Sequence, residues 1–369
     1  MFFKKLNETR SRSLGSGNND FGLAFINEKV TIGSTSISPY RAMKNSDIFA
    51  AVNLLSSHIA ACPFKILNGN EPVLEYLLND RPNNLTNGFT FWQSVMTHLL
   101  LHGNAYCIIY RDQIGTPIKL EFVSGNQVNV LLSDDSQNLF YQFNFNDNRK
   151  PTLLNSSDVL HIRLISTDGG ILGKSPLISL IPELDLQERV NKLTLNSLDK
   201  AISPAGILKI DKGILDHQAK ENIRSEFEKS NTGANAGRVM VLDQIMTYQG
   251  QEINADILKT LITQVNWSRQ QIAKVFGIPA DMLGAESSHS NIDQIRGLYA
   301  TSINRYTYPL TSEITNKLLT DPNETTRLDI AEVIDPDNSS AVKNLDILTK
   351  DGIFDTATAK SILYAKGGI

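Results

Sequence analysis

The chain has 369 residues, 41% hydrophobic and 20% charged, enough for two or three compact domains of ordinary composition. A formal net charge of -4 makes it no general counterion for nucleic acid, which argues against tight nonspecific DNA binding but leaves room for a surface past which DNA slides. Two cysteines, Cys62 and Cys107, exclude a disulfide scaffold and suit a reducing cytosol. The opening MFFKKLNETR has no apolar core of signal-peptide length, and no run of roughly eighteen apolar residues exists to span a membrane.

Residues 1–38 are rich in Gly, Ser and Asn and weakly patterned, which predicts an arm that a neighbour must order. Asn45 or Ser46 can cap a helix carrying Ile48, Val52, Leu55 and Ile59, stopped before Pro63. A short strand, FKIL, precedes the turn Asn68-Gly69-Asn70. Thr90 and Gln93 have capping-box spacing for a helix through Val95, Met96, Leu99 and Leu100, which Gly103 closes. From Ala105 to Ile165 the period falls to two. AYCIIY, IKLEFV, QVNVLL, LFYQFNF and VLHIRLI predict an antiparallel meander packed on helices, an α+β arrangement, and disfavour a doubly wound parallel sheet.

A long helix is predicted from about Pro176 to Ile202. Residues 203–252 differ in texture: strand GILKI, a helix capped by Asp216, the Gly/Asn-rich TGANAG, strand RVMVL and a short strand near MTYQ. They predict a small α/β module held between two long helices. The chain is organised around residues 253–319. Ile257, Leu258, Leu261, Ile262, Val265, Ile272, Val275 and Phe276 mark one helix face, and Gly277 and Pro279 end it. A small polar stretch, Gly284 to Asn291, follows, with Gly277 and Gly284 as flexible ends. Ile292, Ile295, Tyr299, Ile303, Tyr306, Leu310, Ile314 and Leu318 then mark a second helix, and Pro309 inside it predicts a kink. RLDIAEVI predicts a strand returning to the first domain. Residues 340–369 predict two short helices split at Asp351-Gly352.

The chemistry in the chain is sparse. His98 and His102 have the i, i+4 spacing of two zinc ligands, but the glutamate of H-E-x-x-H is missing and no third ligand is apparent. DGGILGKS (168–175) approaches a P-loop. Asp168, however, replaces the first glycine and would face phosphate, and Pro176 removes one cradle N–H. His161, mid-strand, suits a structural place. Lys220, Arg224 and Lys229 alternate with Glu221, Glu226 and Glu228, the pattern of a solvated helix face or of a docking surface for a partner protein. A P-loop-like or metal-dependent cytosolic enzyme is therefore one competing reading, and another DNA-encircling ring or adaptor a second.

Five stretches recur in register: DIFAAVNLLSSHIAACPFKI (47–66), RPNNLTNGFTFWQSVMTHLLLHGNAY (81–106), DVLHIRLISTDGGILGKSP (158–176), NAGRVMVLD (235–243) and IAKVFGIPADMLG (272–284). Together they resemble the portal proteins of tailed double-stranded-DNA bacteriophages, of the siphovirus type. The resemblance implies no catalytic residues, no metal and no cofactor. It implies a dodecameric ring at one capsid vertex of the virion, assembled in the host cytoplasm. DNA enters through the ring, driven by the terminase large subunit, and later leaves through it past a head–tail adaptor; the major capsid or scaffolding protein is a further partner. Carried onto this chain, residues 1–38 are the arm, 39–175 the wing, 176–202 the first stem helix and 203–252 the clip. Residues 253–283 are the second stem helix and exit turn, 284–319 the tunnel loop and long kinked helix, 320–335 a wing return strand and 336–369 a short crown. The implied DNA-facing residues are Glu286, Ser287, Ser288, His289, Ser290 and Asn291. Those for partner docking are Lys220, Arg224 and Lys229.

Overall fold

A computed structural model of the chain describes residues 24–25, 30–32, 35–133, 137–202, 206–210, 216–231, 246–250, 255–285, 292–336 and 338–365. The chain forms two compact units, one of Met1–Ile181 with Ile272–Ile369 and one of Pro182–Gln271. The first unit starts with strands β1 (Ala24–Phe25), β2 (Val30–Ile32) and β3 (Thr35–Ile37), helices α1 (Pro39–Ala42) and α2 (Ser46–Ala61), strand β4 (Phe64–Leu67), and helices α3 (Pro72–Asn79) and α4 (Gly88–His102). Strands β5 (Asn104–Arg111), β6 (Pro117–Val123), β7 (Val128–Leu132), β8 (Leu139–Phe143), β9 (Thr152–Asn155) and β10 (Val159–Arg163) follow. Helix α5 (Leu177–Ile202) crosses into the second unit at Pro182. That unit holds β11 (Gly206–Ile210), α6 (His217–Asn231) and β12 (Met246–Gly250), and α7 (Ala255–Phe276) leads out of it. Helix α8 (Ile292–Leu318), strand β13 (Thr325–Leu328) and helices α9 (Ala331–Ile334), α10 (Ser339–Lys350) and α11 (Thr356–Ala365) complete the first unit.

Local chemistry sets these boundaries. The Asn45 carboxamide oxygen accepts the Asp47 and Ile48 N–H groups at 3.0 and 3.1 Å, capping α2, which buries Ile48, Val52, Leu55 and Ile59. Helix α4 starts earlier than its capping-box spacing predicts. Asn87 is the cap and accepts the Thr90 N–H at 2.8 Å, because an asparagine one turn upstream meets the first free N–H groups before Thr90 can. Gly103 ends α4 at φ 78, and a Cβ there would stand 2.4 Å from the Lys174 carbonyl. Trp92 lies at the junction of α4 with β4, its indole N–H on the Leu78 carbonyl at 2.7 Å and its ring 4.9 Å from Phe64. Cys62 and Cys107 are buried free thiols.

The five predicted strands form, but they do not make one sheet. Three order as β10-β5-β6, and two join β1 and the unforeseen β9 as β1-β7-β8-β9. The two sheets share a core of Tyr106, Ile108, Val123, Val130, Tyr141 and Phe143. Alternation shows which side of a strand is apolar, but not which sheet that side faces. In the second unit GILKI pairs antiparallel with MTYQG, as β11 and β12. RVMVL lies outside the described residues.

Side chains close the edges of three of these strands, β10, β4 and β13. On β10 the His161 N–H donates to Glu313 Oε1 at 2.9 Å, and Lys317 Nζ donates to the Val159 carbonyl. Glu313 and Lys317 also pair with each other. On β4 the Ile66 N–H donates to Glu75 Oε1 at 3.0 Å, and the Phe64 N–H and carbonyl bond the Asn79 carboxamide at 2.7 and 2.9 Å. In both cases an i, i+4 pair on a helix meets an i, i+2 pair on a strand. The spacings match, about 6 Å along a helix and about 6.8 Å along a strand. Helix α8 also serves β13, whose Thr326 N–H donates to Thr315 Oγ1 at 2.8 Å, so one helix closes two sheets from opposite sides. The N–H of Leu120 on β6 donates to the Pro82 carbonyl at 2.8 Å.

Helix α8 runs unbroken through Pro309 over 27 residues. RLDIAEVI is not one strand: β13 ends at Leu328, and Ala331–Ile334 turns into helix after the Asp329 carboxylate accepts the Ala331 N–H at 3.1 Å. Burial lowers the pKa of the Lys317 ammonium against the opposing pull of Glu313, as expected of a charge pair taken largely out of water. Glu313→Leu alone and Lys317→Met alone are each expected to cost about 3 kcal/mol, since each strands a buried charge. The double variant is expected to cost clearly less than their sum. Urea unfolding of the four proteins measures this; additive single effects would show that the pair does not act jointly on the edge.

Candidate functional site

The stretch from Phe276 to Ile292 is built by two successive left-handed stops. At the end of α7 the Ile278 N–H reaches the Ala273 carbonyl at 2.8 Å and the Gly277 N–H reaches Lys274 at 3.2 Å, with Gly277 at φ 69. One short turn later the pattern repeats. The Ala285 N–H reaches Ala280 at 3.1 Å and the Gly284 N–H reaches Asp281 at 3.0 Å, with Gly284 at φ 72. Both are Schellman closures, in which a glycine adopts the left-handed conformation that other residues enter only at about 1–2 kcal/mol. Gly277 and Gly284 are therefore fixed by hydrogen bonds rather than flexible ends, and buried Ile278 and Ala285 hold each turn to the core.

Helix α8 braces this segment. The Tyr306 hydroxyl donates to the Phe276 carbonyl at 2.8 Å, taking one of the acceptors left over at the end of α7. Burial pushes the Tyr306 phenol up to about 12, against the pull of the Arg305 guanidinium beside it. That guanidinium also lies against Gly277, where a Cβ would stand 2.8 Å from Nη1. Nearer its start, α8 is tied to the C-terminal helices: Arg296 donates to Asp335 Oδ1 and Ser339 Oγ at 3.3 and 2.8 Å, while Asp335 accepts the Ser340 and Ala341 N–H groups at the start of α10. Glu286, Ser287, Ser288, His289, Ser290 and Asn291 lie outside the described residues.

In the second unit, Asp216 caps α6 through the Ala219 N–H at 2.7 Å. Lys220, Arg224 and Lys229 are all exposed, and Arg224 pairs with Glu221 at 3.4 Å. Helical spacing puts Lys220 and Arg224 about 40° apart and Lys229 about 180° from Lys220, so the three do not share one face. Arg305, Glu313 and Lys317 escaped the sequence reading. A Glu/Lys pair at i, i+4 has the signature of a solvated helix, and nothing in it points to a strand edge.

The weaker chemical motifs find structural partners. In 168–175 the Asp168 carboxylate accepts from Ser166 Oγ at 2.5 Å and from the Leu172 N–H at 3.1 Å. The Gly173 N–H goes to Asn104 Oδ1 at 2.7 Å and the Lys174 N–H to the Ile165 carbonyl at 2.7 Å. The turn's amides face its own chain and not a phosphate. His98 Nε2 accepts the Gly125 N–H at 3.1 Å, and its ring stacks on His102 at 4.0 Å, a geometry unlike two ligands converging on a metal. His161 is buried between Tyr141 OH at Nδ1 and Asn104 Oδ1 at Nε2, both at 3.0 Å. Since Asn104 Oδ1 can only accept, Nε2 carries the proton and Nδ1 accepts from Tyr141.

Both imidazoles are held neutral by burial, His98 down to about 3 and His161 well below its usual range. The unfolded chain protonates them near pH 6.5 and the folded chain does not. Their stabilisation is thus complete above that pH and lost below it, at about 1.4 kcal/mol per pH unit for each histidine. Thermal unfolding from pH 7.5 to 5.0 is expected to show this slope, reduced by one histidine's share in His98→Gln. An unchanged slope in that variant would mean that His98 already titrates in the fold.

The sequence profile described as phage portal protein matches residues 46–363. The "Probable portal protein" of Streptomyces phage phiC31 is 23% identical over 269 residues, 69% of this chain and 58% of that protein, so the chain spans less than two thirds of that relative. Among solved structures, a chain from the neck of a native gene transfer agent particle computed with C12 symmetry matches with TM-score 0.62 and 20% identity, over 87% of this chain and 90% of the other. An HK97-family phage portal protein from Corynebacterium diphtheriae matches with TM-score 0.60 and 15% identity, over 84% and 98%. With the family profile running through both units, the chain belongs to the phage portal protein family.

Proposed function

We propose that copies of this chain close into the portal ring at one vertex of a phage-type capsid and that double-stranded DNA is packaged and released through the ring. The observation that carries this reading is the family match across residues 46–363, which includes both units. The gene transfer agent neck, computed with C12 symmetry, supports a ring, because a heterologous contact whose rotation closes gives a cyclic assembly. In this assembly the part played is structural and needs no reaction or cofactor. Residues 39–175 with 320–335 form the wing, 176–202 and 253–283 the stem, 203–252 the clip and 336–369 the crown, with 1–38 as an arm. Residues 284–291 are the tunnel loop, where Ser287, Ser288, Ser290 and Asn291 bond phosphate oxygens without selecting sequence. Glu286 keeps that attraction weak, and His289 is the one group there that gains charge near neutral pH. The terminase large subunit and later a head–tail adaptor dock on the clip; the major capsid or scaffolding protein holds the ring in the shell.

Two experiments test the finer assignments. Lys220→Glu with Arg224→Glu reverses two exposed charges on one face of α6, and is expected to leave a ring of unchanged native mass while weakening terminase binding, more so at low salt. Wild-type terminase affinity at all salt concentrations would move docking away from this face. Replacing Ser287, Ser288 and Ser290 with arginine is expected to preserve the ring and slow DNA packaging most at low ionic strength, because each added cation holds a phosphate more tightly there. Normal packaging per procapsid across the salt series would place residues 286–291 off the DNA path.

A further inference from the structure

Exposed positions on α8 fall three or four residues apart and make one stripe that includes Leu298, Thr301, Arg305, Tyr308, Ser312 and Asn316. From Gln294 to Asn316, among the described residues, its only charged side chain is Arg305. Helix α6 of the same chain shows what a solvated face looks like here: its exposed positions include Lys220, Glu221, Arg224, Glu226 and Lys229. The α8 stripe instead leaves Leu298 44% and Tyr308 69% exposed, beside small Thr301 and Ser312 that admit a close neighbour. Arg305 is set in advance, its guanidinium beside the Tyr306 hydroxyl and over Gly277, and no carboxylate pairs with it among the described residues.

Resting on the ring reading above, we infer that this stripe packs against a second copy of the chain and that Arg305 meets a carboxylate there. The chain carries 39 acidic against 35 basic residues, so each copy has carboxylates to spare for a lone cation. A planar guanidinium fixed by neighbours suits a carboxylate across an interface, because little of its freedom remains to be lost on binding. Duplex DNA is the weaker occupant. A face that tracks phosphates gathers cations, and this one offers one cation beside an exposed leucine and tyrosine. Protein interfaces, by contrast, are depleted in charge and enriched in tyrosine and arginine.

The test uses the full chain with Thr301→Lys/Ser312→Lys, which adds two charges to the stripe, and with Arg305→Glu. Native mass spectrometry over a protein dilution series reports assembly, and circular dichroism melting reports the fold. Both variants are expected to keep the wild-type circular dichroism spectrum and a cooperative melt, its midpoint lowered only by the lost assembly, the double variant as a monomer and Arg305→Glu assembling only at ten times or more the wild-type concentration. Arg305→Lys, which keeps the charge but loses the planar fork, is expected to fall between. Rings at wild-type concentration in the double variant and in Arg305→Glu overturn the inference, and slowed packaging by such rings would assign the stripe to DNA. A wild-type chain that stays monomeric sinks the ring reading, and this inference with it; rings in wild type and variants alike sink this inference alone.

Discussion

Much of the first unit depends on one constraint: short sheets of two to four strands have edges, and every inward-lying edge N–H and C=O must find a partner. This chain meets the constraint with helices instead of further strands. Glu313 and Lys317 stand in for a missing strand beside β10, Glu75 and Asn79 do the same for β4, and Thr315 bonds β13. The device works because four residues of helix advance nearly as far as two residues of strand. It also sets register, since a slip of β10 by one residue would turn Val159 and His161 away from the pair that bonds them.

The consequence for the site is positional. Helix α8 bonds β10 and β13 through its C-terminal half, holds the Phe276 carbonyl through Tyr306 near its middle, and grips the C-terminal helices through Arg296 near its start. The segment before residues 286–291 closes on two hydrogen-bonded glycine turns, and the segment after them is this anchored helix. The residues flanking 286–291 on both sides are therefore held by the packed unit. A similar economy holds at the centre of the unit, where Asn104 bonds His161 and both polar groups of Gly173, joining β5, β10 and the turn at 168–173 with one carboxamide.

The turn at 168–175 resembles a phosphate cradle in sequence because both are glycine-rich passages from strand to helix. Here its amides are taken by Asn104, Ser166, Asp168 and Ile165. His161 resembles chemistry for a similar reason: histidine is a compact donor–acceptor pair, and a buried polar position uses it where two partners lie on opposite sides of the ring.

The sequence by itself determined the long helices and the five strands between Ala105 and Ile165, though not β1–β3, α3, β9 or α9, and it determined that Gly103 ends a helix and that a polar stretch lies between two long helices. These are local matters of periodicity, capping and backbone freedom, and each is decided within a few residues. Five stretches in register carried the family. The Asn87 cap of α4 and the closed turn at Gly284 are local features that the structure corrected, whereas tertiary structure alone decided that the strands divide into two sheets. It alone showed that Glu313, Lys317 and Thr315 face strand edges while Arg305 faces outward. Such facts depend on which groups meet across long separations in the chain. An i, i+4 Glu/Lys pair has the same spelling whether it faces water or the last unpaired amides of a sheet.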